Sequence, residues 1–159
     1  MRPAKATATA LAAAAVAALL ATSSVQGEPA AKAAQTCEGQ EATIVGKAGK
    51  DRKLRGTGGA DVIAARGGND FVDGRGGDDV ICAGSGADFV AAGSGDDLVN
   101  GDSGDDTLLG QGGKDELFGK EGDDGLGGGD GGGDLCHGGP GDDNATENDC
   151  ERIQSANGV

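Results

Sequence analysis

The sequence predicts an all-β solenoid, in which the short strands of one repeat stack on those of the next. Glycine supplies 34 of the 159 residues, and the aromatic residues are three phenylalanines. A conventional globular enzyme of this length needs large apolar side chains to fill its interior, and this chain lacks them. Glycine and aspartate instead recur every nine residues through the middle of the chain. A unit this short buries apolar surface only by stacking on its neighbours.

The charge balance narrows the class of partner. Aspartate and glutamate number 27 against 13 lysines and arginines, so the net charge is −14. This sign excludes binding of nucleic acid through a basic face. It favours cations as partners.

The first 27 residues have the pattern of a secretory signal peptide. Arg2 and Lys5 make a short basic start, and an unbroken apolar run follows at residues 11–21. That run is too short to cross a bilayer, which takes about 20 residues. We therefore expect a secreted, extracellular chain with no membrane span. An alanine-rich N-terminal helix that stays attached is the alternative.

Four cysteines, an even number in an exported chain, favour disulfides. Four cysteines allow three connectivities, and all three stay open at this point. One of them pairs Cys136 with Cys150 across a short C-terminal loop, and Cys37 with Cys82 between the lead-in segment and the repeats. A zinc site is the competing interpretation, although the chain has no CxxC spacing and its lone histidine, His137, has no histidine partner.

The repeat keeps three registers through eight copies. Its aspartates are Asp61, Asp70, Asp79, Asp88, Asp97, Asp106, Asp115 and Asp124. A glycine lies two residues before each aspartate, and a branched aliphatic lies two residues after it. These aliphatics are Ile63, Val72, Ile81, Val90, Val99, Leu108, Leu117 and Leu126. Glycine-rich disorder is a poor account of such regularity.

Each copy divides into a turn and a strand. The Gly-x-Asp portion predicts a turn, because glycine reaches positive φ without steric cost. The three residues after the aspartate predict a very short strand whose middle aliphatic points inward. The residue just after the aspartate should point outward, and it is apolar in the early copies: Val62, Phe71, Val80, Phe89 and Leu98. These side chains either pack under the N-terminal segment or form a docking surface.

Two segments carry a family resemblance. Residues 74–82 read GRGGDDVIC and residues 110–118 read GQGGKDELF. Both resemble the G-G-x-G-x-D-x-U-x nonapeptide of the repeats-in-toxin (RTX, haemolysin-type) calcium-binding proteins, here in a small secreted bacterial form. The resemblance covers about residues 56–146. It implies a right-handed parallel β-roll with two repeats per coil and calcium in the turns between coils. We expect about nine to ten repeats in this chain, with ends tied by disulfides.

That architecture implies two edges of stacked aspartates, with Asp61, Asp79, Asp97 and Asp115 on one and the other four on the second. Two bare carboxylates about 4.8 Å apart repel by about 3 kcal/mol at an effective dielectric of 20. A calcium ion between them reverses the sign, because it takes six to eight oxygen ligands. Three adjacent pairs on each edge predict six sites. The acidic residues before the key aspartates are interpreted as solvated turn charges or outer-shell helpers: Asp78, Asp96, Asp105 and Asp123.

The ends of the repeat region are less regular. Asp134 falls ten residues after Asp124, and Asp143 resumes the nine-residue step. Pairing of Asp134 with Asp115, and of Asp143 with Asp124, raises the expected number of sites to eight. A degenerate copy at Asp51 is surrounded by positive charge that disfavours calcium. We therefore expect a lead-in and capping coil at 28–55, the β-roll at 56–146 and a C-terminal cap or tail at 147–159.

Catalysis is not expected. The chain contains no H-E-x-x-H, G-x-S-x-G or P-loop motif, and His137 is interpreted as a surface residue of a C-terminal turn. The predicted function is that of a secreted calcium-binding protein that folds on binding about six to eight calcium ions. The alternative is a calcium-dependent extracellular structural or adhesive module that binds an unknown extracellular or cell-surface protein through the outward apolar face. A soluble enzyme is the third hypothesis.

Overall fold

The computed structural model describes residues 35–51, 53–145, 150 and 152–155. All of them belong to one compact unit, Ala33–Val159. The predicted signal peptide, residues 1–27, lies outside the described residues, as do the first part of the predicted lead-in and much of the predicted C-terminal tail. The proposed domain boundaries therefore stay predictions.

The described residues form β-strands and no helix, so none of them belongs to a helix able to span a membrane. The strands are β1 Thr36–Cys37, β2 Gln40–Glu41, β3 Ile44–Val45, β4 Leu54–Arg55, β5 Val62–Ala64, β6 Phe71–Gly76, β7 Val80–Ser85, β8 Phe89–Ser94, β9 Leu98–Ser103, β10 Thr107–Gly112, β11 Glu116–Glu121, β12 Gly125–Asp130, β13 Leu135–Gly139, β14 Asn144–Ala145 and β15 Arg152–Ser155.

The repeat strands stack into two parallel sheets. One sheet has six strands in the order β14-β12-β10-β8-β6-β4, and the other has seven in the order β15-β13-β11-β9-β7-β5-β3. Successive strands alternate between the sheets, so two nonapeptides make one coil. Register pairs such as Val72 with Val90 and Val80 with Leu98 are 18 residues apart. The protein is an all-β parallel β-solenoid of about six turns.

The repeat strands are longer than predicted. Strands β6 to β12 have six residues each, so the expectation of three-residue strands is wrong. The glycine portion of the repeat continues the ladder, with Arg75 opposite Gly93 and Gly76 opposite Ser94. The ladder extends because the backbone N–H and C=O groups of the next coil can pair with this portion too, and because glycine lets two backbones approach closely. The turn shrinks to Gly77, Asp78 and Asp79.

The interior is a row of branched aliphatics between the two sheets. All eight predicted inner residues are buried, and the row continues into Cys136. Ile44, Leu54 and Ala145 pack against this core at the two ends of the solenoid while staying partly exposed. The expected interior is confirmed.

Of the three possible connectivities, the structure has the one that pairs Cys37 with Cys82 and Cys136 with Cys150, so the zinc interpretation is wrong. Cys37 bonds to Cys82 with their Cα atoms 5.7 Å apart, and Cys136 bonds to Cys150 at 5.8 Å. The first disulfide ties the antiparallel hairpin β1–β2 to β7. Asn100, which is buried, donates from Nδ2 to Glu38 Oε1 of the same hairpin at 2.6 Å. These contacts place the hairpin against the seven-stranded sheet.

The outward apolar row divides between the two sheets. Val62, Val80 and Leu98 lie on the seven-stranded sheet, where β1 contacts β5 and β7. Phe71 and Phe89 lie on the six-stranded sheet and stack with their ring centroids 5.1 Å apart. The N-terminal hairpin therefore packs against the seven-stranded sheet at β5 and β7, whereas Phe89 on the six-stranded sheet is an exposed large apolar side chain.

Gly86 tests the requirement for glycine in the turn. Its φ is +123°, and a Cβ there would contact the carbonyl oxygen of Gly68 and lie 2.7 Å from its carbonyl carbon. We expect Gly86→Ala to lower the free energy of unfolding by about 1–3 kcal/mol, because it adds backbone strain and a clash with the neighbouring coil. Thermal unfolding followed by circular dichroism measures the loss.

Gly58→Ala is the matched control. Gly58 lacks a left-handed φ, and a Cβ there would have no atom within 4 Å. This variant should unfold close to the wild-type temperature. Equal destabilisation by the two substitutions would contradict the requirement for glycine at position 86.

Candidate metal centre

The ten predicted aspartates form two columns along the solenoid. We call Asp61, Asp79, Asp97, Asp115 and Asp134 the first column, and Asp70, Asp88, Asp106, Asp124 and Asp143 the second column. Within each column, the backbone N–H of one aspartate donates to Oδ1 of the next, at distances of 2.7–3.1 Å. The expected two-edge arrangement is present, including the pairs Asp115–Asp134 and Asp124–Asp143.

The second carboxylate oxygen of nine of these aspartates has no hydrogen-bond donor. The buried, unpaired Oδ2 atoms belong to Asp70, Asp79, Asp88, Asp97, Asp106, Asp115, Asp124, Asp134 and Asp143. Eight of these residues are at most 4% exposed. Burying a charged oxygen without a partner is unfavourable, and such groups in native proteins normally have a partner. A cation bound beside these oxygens would therefore stabilise the folded state.

Burial changes the acidity of the column carboxyls. Desolvation raises the pKa of Asp79, Asp88 and Asp115 to about 6, and that of Asp97 and Asp106 to about 7. The N–H donor on Oδ1 lowers each pKa, and the neighbouring carboxylates of the column raise it again. Desolvation is the largest of these effects. A cation beside the carboxylates would oppose it.

Backbone carbonyls share the space that Oδ2 faces at several column aspartates. A Cβ built on Gly74 would lie 2.6 Å from Asp79 Oδ2 and would also contact the carbonyl oxygen of Ala92. A Cβ on Gly101 would contact Asp106 Oδ2 and lie 2.7 Å from the carbonyl oxygen of Gly119. At these aspartates, the glycine five residues earlier thus leaves room between a carboxylate oxygen and a carbonyl oxygen of the next coil. Alanine occupies this position before Asp70, Asp88 and Asp97.

This donor set suits a hard cation. Carboxylate and carbonyl oxygens are the ligands that Ca²⁺ takes in proteins, and calcium tolerates irregular geometry. Among the described residues, no three histidine, cysteine, aspartate or glutamate side chains converge on one point. A cation in the columns would therefore combine carboxylates of adjacent coils with backbone carbonyls.

A second ladder runs outside the columns. In five copies the residue before the column aspartate is an exposed Asp or Asn, and its side chain also accepts a backbone N–H from the next coil. Asp78 Oδ1 accepts from Asp96 at 3.0 Å, and Asp105 Oδ1 accepts from Asp123 at 3.0 Å. Asn69 Oδ1 does the same for Ala87 at 3.3 Å. These acids therefore tie coils together, a role that the interpretation as solvated charges or outer-shell helpers missed.

His137 lies in strand β13, so its placement in a turn is wrong. Its ring stacks on that of Phe118 with the centroids 4.9 Å apart. The two residues are paired in the ladder between β11 and β13. The histidine is thus part of the outer surface of the seven-stranded sheet.

The raised pKa values predict a pH dependence for the protein in chelator. Between about pH 4 and pH 7, the folded state without metal holds protons that the unfolded chain has released, so the stability of that state falls as pH rises. Above about pH 7 these carboxyls are ionised, and the folded state without metal carries the full cost of burying their charge. We expect more β-structure in chelator at pH 4.5 than at pH 7.5, measured by far-ultraviolet circular dichroism.

The double variant Asp97→Asn with Asp106→Asn removes the two carboxyls of highest pKa and should flatten this dependence. Asp130→Asn makes the same chemical change at an exposed position and should leave it unchanged. A spectrum in chelator that gains β-structure as pH rises would contradict the assignment.

The comparisons with known proteins agree with this geometry. A family model described as the RTX calcium-binding nonapeptide repeat, in four copies, matches residues 55–90 and 92–126. Comparison with curated proteins and with solved structures gives no significant match. The matched residues contain most of both columns. The chain therefore contains RTX-type calcium-binding nonapeptide repeats.

Proposed function

We propose that this chain is a secreted, non-catalytic calcium-binding protein whose solenoid folds on binding calcium in the two aspartate columns. The observation that carries the proposal is the set of nine buried Oδ2 atoms without a donor. The matched nonapeptide repeats support calcium as the cation.

The energetics favour folding that depends on the metal. Each pair of stacked carboxylates opposes the fold by repulsion and by desolvation, and a divalent ion between them reverses both effects. A site at a tenfold excess of calcium over its dissociation constant adds about 1.4 kcal/mol. Six such sites would add about 8 kcal/mol, which is comparable to the net stability of a typical domain.

The number of adjacent aspartate pairs in the columns gives the expected number of bound ions. Each column contains four adjacent pairs of aspartates joined by N–H to Oδ1 hydrogen bonds. Six to eight bound ions, nine to ten repeats and a right-handed coil are the finer parts of this proposal. The two aspartates of a pair would hold each ion together with backbone carbonyls.

The disulfides and the N-terminal sequence support export of the chain. Disulfides persist in oxidising compartments, and both cysteine pairs are bonded here. Residues 1–27 have the pattern of a signal peptide. We propose that the chain leaves the cell unfolded and folds outside it, where calcium is abundant.

A second candidate function is a calcium-dependent docking module. The stacked Phe71 and Phe89 on the six-stranded sheet support it, since Phe89 is 36% exposed. A pull-down from extracellular proteins with and without calcium, repeated with Phe89→Ser, separates this function from ion binding alone. Capture that persists in the variant would argue against this surface.

A calcium titration tests the main proposal. In excess chelator at pH 7.5 we expect a spectrum with little β-structure, and a cooperative gain of β-structure as calcium is added. Native mass spectrometry of the chain without residues 1–27 should count six to eight ions. A strand-rich spectrum in chelator that calcium leaves unchanged, or a count of zero or one, would refute the proposal.

Matched variants show which carboxylates are responsible. Asp88→Asn removes the charge of a buried carboxylate with an unpaired Oδ2, and should lower the ion count and raise the calcium midpoint several-fold. Asp130→Asn makes the same change at an exposed position, and should leave count and midpoint as in the wild type. Identical behaviour of the two variants would contradict the column assignment.

A further inference from the structure

We infer that the first coil of the solenoid is closed by the chain's own hydrogen bonds instead of by calcium. Asp61 is then not a ligand, although it belongs to the repeat, and the N-terminal coil is a calcium-independent start for the columns. This inference rests on the proposed function, because it says where in the columns calcium binding begins.

Asp61 differs from the other nine column aspartates in its hydrogen bonds. Its Oδ2 accepts from the backbone N–H of Thr57 at 2.6 Å and from the Thr57 hydroxyl at 2.9 Å. Its Oδ1 accepts from the Thr43 hydroxyl at 3.5 Å. Two threonines therefore supply the donors, and the oxygen that is unpaired in every later coil is already satisfied.

The other edge begins in the same way. Asp51 lies one coil before Asp70, and its backbone N–H donates to Asp70 Oδ1 at 2.5 Å. Asp51 Oδ2 accepts from the backbone N–H of Lys47 at 2.7 Å, and the Lys47 ammonium lies 4.0 Å from Oδ1. The donor is again the residue four positions before the aspartate. The first carboxylate of each edge thus receives hydrogen bonds from this chain's own groups, and that of Asp51 also lies beside a lysine ammonium.

A change in backbone conformation explains the difference. In eight later copies, the residue four positions before the column aspartate has a left-handed φ: Arg66, Arg75, Gly84, Gly93, Asp102, Gln111, Lys120 and Gly139. Thr57 and Lys47 do not have one. In the later coils this residue joins the strand ladder, as Arg75 does opposite Gly93, and its N–H does not reach Oδ2. Thr57 is β-branched, a residue type that rarely adopts a left-handed φ.

Other contacts hold the same coil together without metal. Thr43 also accepts from the backbone N–H of Val62 at 3.1 Å. Lys53 and Arg55 lie 3.1 and 3.5 Å from Asp73 Oδ2. The disulfide from Cys37 to Cys82 fixes the hairpin beside this coil. Neither Asp51 nor Asp61 contributes a buried oxygen without a partner, so this coil carries no charge that needs a cation.

The inference changes the expected ion count. Without the pair Asp61–Asp79, three adjacent pairs remain in the first column and four in the second, which gives seven ions. The calcium-dependent part of the solenoid then begins at Asp70 and Asp79.

Two isosteric variants of one column test the inference by native mass spectrometry and calcium titration. Asp61→Asn keeps an oxygen that can accept from Thr57, so we expect the wild-type count of seven and a midpoint within twofold. Asp97→Asn, the matched control, should lose at least one ion and shift the midpoint several-fold. Equal losses of ions in the two variants would overturn the inference.

Hydrogen exchange in chelator tests the coil independently of ion counting. We expect the backbone amides of Thr43, Gly46, Thr57 and Val62 to exchange about tenfold more slowly than those of Leu98 and Thr107. Uniformly fast exchange would overturn the inference. A wild-type chain that binds no calcium but keeps this protection would instead refute the proposed function and leave the metal-independent coil standing.

Discussion

The burial of stacked carboxylates is the constraint on which the rest of the structure depends. Each column aspartate except Asp61 turns one oxygen, Oδ1, to a backbone N–H of the neighbouring coil and leaves the other, Oδ2, buried without a donor. The hydrogen bond to Oδ1 sets the spacing of the coils. The unpaired Oδ2 makes that spacing unfavourable while no cation is present. The same side chain therefore both builds the solenoid and makes its stability depend on an ion.

Glycine lets neighbouring coils approach closely at several positions, where an added Cβ would meet the backbone of the next coil. At Gly74 a Cβ would contact the carbonyl oxygen of Ala92, and at Gly86 that of Gly68. Carbonyl oxygens thus come close to the column carboxylates, and the space between them is kept open. The bonded cysteines hold the two ends, where neighbouring coils are fewest.

Sequence-based prediction was right where a single register decides the outcome. A residue at a fixed position in a nine-residue unit is either inside or outside, so the inner aliphatics followed directly from the repeat, and the aspartate columns followed from the two repeats per coil that the resemblance implies. It was wrong on strand length because the glycines pair with backbone of a coil 18 residues away, which no local pattern reveals. It also missed the outer ladder, since a side chain such as Asp78 carries no sign that its partner is the N–H of Asp96.

Periodicity alone determined the fold class and the family resemblance, because these follow from repetition at a constant spacing, and the resemblance in turn implied the two-column placement of the aspartates. Tertiary structure decided which carboxylate oxygens lack a donor, which sheet the N-terminal hairpin covers and how the columns begin. Asp61 and Asp97 are the same residue at the same position of the repeat, yet only Asp61 has Thr57 and Thr43 within reach. That difference depends on the backbone conformation of one neighbouring residue and on where the stack ends, and neither is a property of the repeated unit.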